Sequence, residues 1–591
     1  MTYSAYDGFE HVPMMFRAQV RDRAQLHFIP SGKDPDIFKW TEEWLDGTRP
    51  EAPEFDESVK THSYTIGWRL VTNSGQDNDL IRPVMGAGGW PFIPGSSMKG
   101  AFRRVCPAAE RDRYCGQAFE DEFRPGILRF HGGYPTSDQW QNHLVDVVHP
   151  QQDRQVKRQG RSAALAQISL YRTEIIFGFS SSFALDEAEW QQIFKIWESA
   201  LFAGIGCRVS CGYGLFDGLA TLSADDTAPK PQKVLHSAQL KGHGIAPILV
   251  QNRTPEFRPN LIKAAFRGHA LRLFGGLVRE DATAERLVQT LFGGIRDKGA
   301  QGLLSLDVNM LNDETKWLQE VKTYNSPATF YDVECELRWK LTKSTEHEAE
   351  LKNLIDQLTQ FALLLGGFGN SWRRADHSLF MPQYKRHPIG CHWQWLDEID
   401  NKIQGLKDVT EVIDSTQAAF TAWKALFPDL LRSDADGKNP TDRWREVWKS
   451  ERVQVWGRKA KSAKDSKVIP WLHDKSNSQR NQRSKSHHSR SRSPSRPQSK
   501  SSSLAMQRFG EMEPARIYQT TVSGYVGERT RTPQTLVGQI WHRMYPLTGA
   551  ETGKYLELLT FFPDSKSEDT ASAEFKAYLA KQREFEKLWG R

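Results

Sequence analysis

Residues 89–104 read GWPFIPGSSMKGAFRR, and this stretch predicts a strand end, a tight turn and a basic helix. The aromatic, apolar run from Trp90 to Ile93 is typical of a strand. Ser97 stands where it would cap a helix that begins near Met98. A turn followed by a helix presents free backbone N–H groups and the positive end of the helix dipole, so this junction suits an anion such as phosphate. An ordinary capped helix with solvated basic side chains would have the same sequence features.

The length and composition of the chain indicate several folding units and no membrane segment. Its 591 residues favour three or four units over one. Apolar residues make up 38% of the chain and 19 residues are Trp, which is enough for several cores, and aromatic rings also stack on nucleobases. No run of about 18 apolar residues and no signal-peptide pattern occurs, so we expect a cytoplasmic protein with no membrane partner. The six cysteines are scattered, which does not indicate a disulfide framework.

Positive charge is concentrated in residues 474–508, which contain nine Lys or Arg residues and one acid, Asp474. Because the net charge of the whole chain is +7, the remainder is close to neutral. The Ser/Arg-rich composition of residues 461–512 predicts a disordered basic insertion. Such a segment could add salt-dependent affinity for phosphate backbones, or it could simply be a solubilising insertion.

The remaining sequence predicts an α+β fold in which one order of elements occurs twice. Each half shows a strand, a basic helix, two strands, a helix, a Gly-rich loop and a final strand. The Gly-rich loops are residues 204–216 and 366–380. This β-α-β-β-α-β order is the ferredoxin-like (RRM-like) arrangement, whose sheet face is a common RNA platform. The predicted units are an N-terminal extension (1–60), a first domain (61–225), a second domain (235–460), the basic insertion (461–512) and a C-terminal part that completes the second domain (513–591).

An acidic loop precedes the opening stretch. Asp77 and Asp79 lie in SGQDNDLIRPVMGAGG, residues 74–89, just after a predicted strand. A carboxylate beside a phosphate site could position a metal ion or activate a ribose 2′-OH. Asp and Asn are also common residues of turns, so the loop could have no role beyond its shape.

Three segments together resemble a known family. FIPGSSMKGAFRR (92–104), FEDEFRPGILRF (119–130) and GIGCRVSCGYG (204–214), in this order, resemble the repeat-associated (RAMP) proteins of CRISPR systems, and in particular the backbone subunits of type III effector complexes. The resemblance covers about 62–220 well and 235–380 more loosely. Two such domains in one chain suggest a fused backbone subunit.

The resemblance implies that the chain binds guide RNA and target RNA and assembles with other type III subunits. It also implies a hairpin that kinks the guide–target duplex, for which residues 135–165 are the candidate in the first half. The residues that we assign to RNA contacts on this basis are Gly95, Ser96, Ser97, Lys99, Arg103, Arg208, Gly212, Lys263, Arg267, Arg373 and Arg374.

The resemblance also implies a cleavage site. In many relatives an Asp in the loop after the first strand promotes metal-dependent cleavage of target RNA. Asp77 occupies that loop here and is the candidate catalytic residue and Mg²⁺ ligand, with Asp79 as the second candidate; the loop lacks the usual Gly-Gly-Gly-Asp form. The corresponding loop of the second half, residues 252–258, contains Glu256 but no Asp, so we expect that half not to cut.

Three other functions remain open from the sequence. The chain could be a purely structural backbone subunit that binds guide RNA without cutting. It could be a precursor guide-RNA processing endoribonuclease of the same superfamily, a class that usually relies on histidine, with His62, His149 and His542 as candidates. It could also be an unrelated RNA-binding protein with a basic arm.

Overall fold

The computed structural model describes most of the chain outside the basic insertion. The predicted insertion lies outside the described residues from 470 onwards, as do the first 35 residues of the predicted N-terminal extension. The described residues are 36–72, 76–77, 80–81, 83–119, 122–148, 155–157, 165–219, 233–249, 254–294, 301–321, 328–369, 371–380, 390–432, 444–469, 540–563 and 579–591.

The first half, residues 61–225, is built on an antiparallel sheet in the order β1-β11-β7. An antiparallel bridge between Ile66 and Phe216 places the end of this half beside β1, on the side away from β11. The order is therefore that of a ferredoxin-like sheet with a reduced last strand. The strands are β1 (Lys60–Thr65), β2 (Arg69–Leu70), β3 (Gln76–Asp77), β4 (Leu80–Ile81), β5 (Gly116–Phe119), β6 (Glu122–Pro125), β7 (Leu128–Pro135), β8 (Val145–Val148), β9 (Leu165–Ile168), β10 (Leu170–Tyr171) and β11 (Glu174–Ser181).

The helices of this half pack on one side of the sheet. In α4 the apolar residues recur with helical spacing, and Trp197 contacts Phe177 and Phe179 of β11 at ring-centroid distances of 4.9 and 5.7 Å. The side chain of Asp186 accepts a hydrogen bond from the Glu189 N–H and caps the start of α4. The helices are α1 (Asp36–Asp46), α2 (Gly95–Val105), α3 (Ala108–Cys115) and α4 (Glu187–Ala203).

Helix α2 begins at Gly95, so the prediction that Ser97 caps a helix starting near Met98 was wrong. Pro94 is the N-cap residue, and the Met98 N–H donates to the Pro94 carbonyl at 3.0 Å, which closes the first turn. Proline has a φ close to that of a helix and has no N–H that needs a partner, so the helix starts without a Ser or Thr cap.

The second half contains a complete ferredoxin-like sheet in the order β13-β15-β12-β16, with β14 paired to β15. The predicted α+β class and duplicated element order are therefore confirmed. The elements are β12 (Val234–Ile245), α5 (Asn260–Leu277), α6 (Asp281–Phe292), β13 (Leu304–Met310), β14 (Leu318–Val321), β15 (Ala328–Leu341), α7 (Glu348–Phe361), β16 (Cys391–Trp395), α8 (Leu406–Ala425) and α9 (Pro428–Arg432).

A further antiparallel sheet has the order β18-β19-β17-β20. Its apolar residues belong to the same hydrophobic core as those of the second half, so residues after 540 pack directly on that half. One strand lies before the basic insertion and three lie after it. They are β17 (Gln454–Ala460), β18 (Ile540–Pro546), β19 (Tyr555–Phe561) and β20 (Glu586–Trp589). Within the described residues, no helix is long and apolar enough to cross a bilayer.

Two buried ion pairs join the two halves. In one pair the arginine belongs to the first half, and in the other it belongs to the second half. The guanidinium of Arg69, in the first half, donates to both carboxylate oxygens of Glu256 at 2.9 and 2.7 Å, and the Trp68 indole donates to the same carboxylate at 2.7 Å. Arg258, in the second half, pairs with Asp146 of the first half. Because the Arg69 and Glu256 side chains are almost completely buried, separating the halves would leave charges unpaired in apolar surroundings.

Part of the predicted duplex-kinking hairpin docks on the second half. Strands β8 and β9 pair as a hairpin, and between them the short described piece 155–157 inserts Val156 into the core of the second half. The Val156 carbonyl accepts the Arg445 and Glu446 N–H groups at 2.8 and 3.1 Å. Residues 149–154 and 158–164 lie outside the described residues, and a role in kinking RNA stays a prediction.

Candidate nucleic-acid interface

The first turn of α2 has the features of an anion site. No side chain caps it, and no acidic residue lies in the turn. The first N–H groups of a helix have no partner within the helix, so Gly95, Ser96 and Ser97 present theirs at the positive end of the helix dipole. Ser96 and Ser97 are exposed, so an RNA phosphate can approach both backbone and hydroxyl groups.

The basic residues of α2 connect this turn to neighbouring segments. Arg103 is exposed and donates to the Gly116 carbonyl at 2.7 Å, and Arg104 donates to the Gly204 carbonyl at 3.0 Å. Burial lowers the pKa of Arg104. Lys99 is half-buried on the same helix. The predicted contacts Gly95, Ser96, Ser97, Lys99 and Arg103 therefore lie on one short helix.

The Gly-rich loop 204–216 requires glycine at several positions. Gly206, Gly212 and Gly214 have φ values of +86°, +87° and +66°. A Cβ at Gly214 would lie 1.8 Å from the Ile205 carbonyl oxygen, so only glycine fits there. Arg208 also has a left-handed φ of +59°, and its Nε is buried without a hydrogen-bond partner.

The candidate residues of the second half are more buried than the sequence implies. Lys263, Arg373 and Arg374 are 3%, 3% and 9% exposed, and Arg267 is partly buried. Arg373 donates to both oxygens of the buried Glu446 at 2.9 and 2.8 Å. This pairing gives Arg373 a role inside the fold, and its assignment to RNA stays a prediction.

The outer face of the second-half sheet does not resemble an RNA platform. Successive outward positions of β15 carry Asp332, Glu334 and Glu336. Their negative charges would repel an RNA backbone. Lys241 on β12 already pairs with Glu334 at 3.3 Å. Phe330 on this face is 2% exposed, so its ring cannot stack on a base. RNA contacts are therefore expected on the helix and loop side.

The predicted catalytic loop is only partly described. Asp77 lies in β3, where it is the backbone partner of Leu80, and its side chain and all of Asp79 lie outside the described residues. The Val84 N–H donates to the Thr72 hydroxyl at 2.9 Å and closes the base of the loop. Mg²⁺ is usually held by one or two carboxylates and phosphate oxygens, so Asp77 and Asp79 supply a suitable donor type. No group of three potential metal-ligating side chains occurs in the part of the chain that the structure describes.

Glu256, in the corresponding loop of the second half, has a different role. It is 2% exposed and its carboxylate is occupied by Trp68 and Arg69 of the first half. This carboxylate therefore serves the fold, and the absence of cleavage in the second half stays a prediction.

The two histidine candidates that the structure describes, His62 and His542, pack against other side chains of the fold. His62 stacks on Tyr64 with a centroid distance of 4.7 Å, and His542 is buried with its Nε2 3.1 Å from Glu557. His149 lies outside the described residues. The sequence reasoning missed a pair between His243 Nδ1 and Asp376 Oδ2, 2.5 Å apart. These two residues are 133 positions apart, so no local pattern could have revealed the pair.

Comparison with known families supports the resemblance in the first half. Residues 84–217, which include α2, the hairpin of β5 and β6 and the Gly-rich loop, match the RAMP superfamily. The matched range contains all the first-half candidates for RNA contacts, whereas Asp77 lies seven residues before it. A search of curated proteins finds no match.

Comparison with solved structures finds distant similarities. A chain of the type III-B Cmr-beta complex bound to cognate target RNA is 17% identical, covers 36% of this chain and 81% of its own length, and gives a TM-score of 0.22. Cmr1 from Pyrococcus furiosus is 11% identical over 60% of this chain and 99% of its own, with a TM-score of 0.30. Cmr6 from Pyrococcus furiosus is 13% identical over 27% of this chain and 98% of its own, with a TM-score of 0.17. Likenesses this distant leave the function to be argued from the chain's own residues.

Proposed function

We propose that this chain is a guide-RNA-binding backbone subunit of a type III CRISPR effector complex. The observation that carries the proposal is the uncapped, acid-free first turn of α2 within the RAMP domain, beside a glycine-rich loop held in left-handed conformations. The first turn of the helix leaves backbone amides free for a phosphate, whereas the Gly212 and Gly214 amides of the loop donate to the Val209 and Arg69 carbonyls. The second ferredoxin-like half and the resemblance of the three quoted segments to type III backbone subunits support the same function.

In this function the chain holds a guide RNA, pairs it with target RNA and contacts neighbouring subunits of a cytoplasmic ribonucleoprotein. Ser96, Ser97 and Arg103 contact guide phosphates, because they are exposed on one end and one face of α2. The acidic outer face of the second sheet stays free of RNA. Arg373 already pairs with the buried Glu446, so its assignment to RNA stays a separate prediction.

The first half also cleaves target single-stranded RNA at the Asp77 loop. The 2′-OH of an unstacked target nucleotide loses its proton to solvent and attacks the adjacent phosphorus, and the bond from phosphorus to the 5′ oxygen of the next nucleotide breaks. Asp77, with Asp79 as the alternative, would hold a Mg²⁺ ion, which would neutralise the charge that develops on the phosphate oxygens. Only target nucleotides that are unstacked at a kink of the guide–target duplex can bring the attacking and leaving oxygens into line.

The test is target-RNA cleavage by the assembled complex with Mg²⁺, comparing the native chain with Asp77→Asn, Asp79→Asn and the control Asp112→Asn. Asp112 is an exposed acid of the same half that lies outside the loop and outside residues 135–165. We expect Asp77→Asn to remove evenly spaced cuts and lower their rate by at least about 100-fold, with guide-RNA binding unchanged.

Loss of the cuts in Asp79→Asn alone would move the role to Asp79. Survival of every cut in the variant that carries both substitutions would refute cleavage and leave the purely structural backbone subunit. Failure of the native chain to bind guide RNA in the complex would refute the backbone role as well.

A further inference from the structure

A cavity of about 100 Å³ lies at the junction of the two halves. The first half lines it with part of the Gly-rich loop 204–216, and the second half lines it with residues of β13 and β15. An engineered cavity of about 150 Å³ holds benzene, so this volume suits one planar ring. The aromatic lining residues come from both halves and are Trp68, Tyr171, Phe202, Phe216, Phe257 and Trp317.

Two of these rings are held in place and remain partly exposed. Tyr171 and Trp317 are only partly buried. The guanidinium of Arg69 lies 5.0 Å from the Tyr171 ring centroid, and that of Arg172 lies 5.0 Å from the Trp317 centroid. The Trp317 indole N–H donates to the Asn312 carbonyl at 2.9 Å, which fixes the ring. A fixed ring loses little conformational entropy when another planar group stacks on it.

Two carboxylates at the cavity share one guanidinium. Arg172 Nη2 lies 3.4 Å from Asp217 Oδ2 and 3.0 Å from Glu314 Oε2, and these two acidic side chains are 51% and 53% exposed, so the cavity opens to solvent beside them. Burial raises the pKa of Asp217, Arg172 lowers it, and Glu314 and Asp307 raise it, so the three carboxylates belong to one site. Two ionised carboxylates have more acceptor positions than one guanidinium nitrogen can fill, so they can also accept N–H groups of a ligand.

The charges deeper in the cavity are already paired. Asp307 Oδ2 lies 3.0 Å from Arg338 Nη2 and 3.1 Å from Lys340 Nζ, and Lys340 also donates to the Phe202 carbonyl at 3.1 Å. Arg338 Nε is buried without a hydrogen-bond partner in the part of the chain that the structure describes, and Glu336 Oε2, 3.9 Å away, is beyond hydrogen-bond distance.

The described charges of the cavity therefore cancel, because three carboxylates accompany three cations. A phosphate or a guanidinium would leave one charge without a partner, whereas a neutral ligand would not. The spare carboxylate acceptors and the spare donor of Arg338 suit a ligand that has both N–H and carbonyl groups. A planar neutral group with both is a nucleobase.

We propose that this cavity binds a single-ring nucleobase and prefers cytosine to uracil. Unstacked bases of single-stranded RNA stack on aromatic side chains and form hydrogen bonds along their edges. Asp and Glu accept the N4 amino group of cytosine, which uracil lacks. Trp317 supplies the stacking surface, Asp217 and Glu314 the acceptors, and Arg338 a donor for the base carbonyl.

This inference rests on the proposed function for one source of the base, an unstacked nucleotide of the bound RNA. A free cytidine nucleoside or nucleotide is the other source. The site is separate from the residues assigned to RNA contacts in the first half, with the exception of Gly212, which lines the cavity.

The first test measures binding of cytidine and of uridine to the full chain by calorimetry. The variants are Trp317→Leu, a chain with both Asp217→Asn and Glu314→Gln, and the control Glu346→Gln. Glu346 is 87% exposed and does not line the cavity. We expect the native chain and the control to bind cytidine at least about fivefold more tightly than uridine. Trp317→Leu should bind cytidine at least about tenfold more weakly.

The chain with both amide substitutions should lose the preference for cytidine, because an amide can donate to uracil as well as accept from cytosine. It keeps the proposal testable if Trp317→Leu fails to fold, since both substituted side chains are about half exposed. Equal binding of cytidine and uridine by the native chain, or cytidine binding that is unchanged in Trp317→Leu, would overturn the base site. N-acetylarginine amide that binds more tightly than cytidine would identify a protein side chain as the occupant instead.

The second test compares single-stranded oligocytidine with oligouridine of equal length as a function of salt. A preference for oligocytidine that Trp317→Leu removes would identify RNA as the source of the base, and cytidine binding without this preference would identify a free nucleoside. The absence of both would overturn the site. Stacking involves no phosphate, so the slope of log affinity against log salt should be the same in the native chain and in Trp317→Leu. A smaller slope in Trp317→Leu would show a phosphate contact and overturn the base as the ligand.

Failure of the site and failure of the proposed function are distinguishable. Cytidine binding that depends on Trp317, in a chain that does not bind guide RNA within the complex, would keep the base site and refute the proposed function. Guide-RNA binding by a chain that shows no preference for cytidine or oligocytidine would do the reverse.

Discussion

Gly95 starts the helix that holds the candidate phosphate site, and it lies in close contact with strand β7. A Cβ at this position would be 2.0 Å from the Phe130 carbonyl oxygen, a distance that real atoms do not adopt. Gly100, five residues along the same helix, has no atom within 4 Å of its would-be Cβ. Close packing therefore requires glycine at position 95 but not at position 100, although both glycines belong to one short sequence motif.

This difference predicts opposite effects for one substitution. Gly95→Ala must push α2 away from β7, and we expect a loss of at least about 2 kcal/mol of unfolding free energy. Gly100→Ala should raise the unfolding free energy by about 0.5–1 kcal/mol, because alanine is the better helix former. Chemical denaturation of both variants measures this. A Gly95→Ala chain as stable as Gly100→Ala would contradict the close packing of α2 on β7.

At the scale of the elements, strand pairing places two histidines with opposite pKa shifts next to each other. His243 of β12 and His392 of β16 are direct partners in the sheet. Burial lowers the pKa of His243, but the hydrogen bond and charge of Asp376, with a further contribution from Asp332, outweigh this, so the net shift is upward; Lys241 opposes it. Burial dominates at His392 and its pKa is lowered.

These shifts predict pH effects of opposite sign. The folded-state pKa of His243 is above that of the unfolded chain, so its contribution to stability is present below about pH 6.5 and is lost as the pH rises through the folded value. His243→Gln should therefore cost more unfolding free energy at about pH 6 than at about pH 8.5. His392→Gln, the matched control on the neighbouring strand, should cost less at the lower pH, because the native His392 resists protonation. Equal pH profiles for the two variants would contradict the Asp376 pairing.

At the scale of the whole molecule, the two ferredoxin-like halves are joined by buried charges rather than by a linker alone. Arg69 and Glu256 come from different halves and are almost completely buried. Arg172 and Glu314 also pair across the junction at 3.0 Å, but the Glu314 side chain is 53% exposed. A buried pair is costly to break, whereas an exposed pair contributes little because water and salt screen it.

Glu256→Gln should therefore cost about 3–5 kcal/mol of unfolding free energy, because Arg69 keeps its charge without a carboxylate. Calorimetry should also show one unfolding transition for the native chain and two for Glu256→Gln, because the halves then unfold separately. Glu314→Gln removes a charge from the same junction and should cost no more than about 1 kcal/mol. Equal losses in the two variants would show that burial of the Arg69 pair does not hold the halves together.

The sequence by itself was enough to predict the α+β class, the duplicated order of elements and a resemblance to RAMP proteins, which a family match supports over residues 84–217. These depend on local patterns: a Pro-Gly turn before a basic helix, helical spacing of apolar residues, and glycines in a loop. Such patterns act over neighbouring residues, so their physical consequences can be derived without knowing which other segments they pack against.

Only the tertiary structure decided which charged residues are paired inside the fold. Arg373 looks like a site residue in the sequence and Glu256 lies in the loop that corresponds to the Asp77 loop, but each has a buried partner, in the case of Glu256 the side chain of Arg69, 187 positions away. The first Gly-rich loop and the start of α5 look like parts of two separate domains, but the hydrogen bond from Asn260 to the Tyr213 hydroxyl shows that they are in contact. The reason is physical: the state of a buried charge depends on the group that packs against it, and that group is chosen by the folding of distant segments.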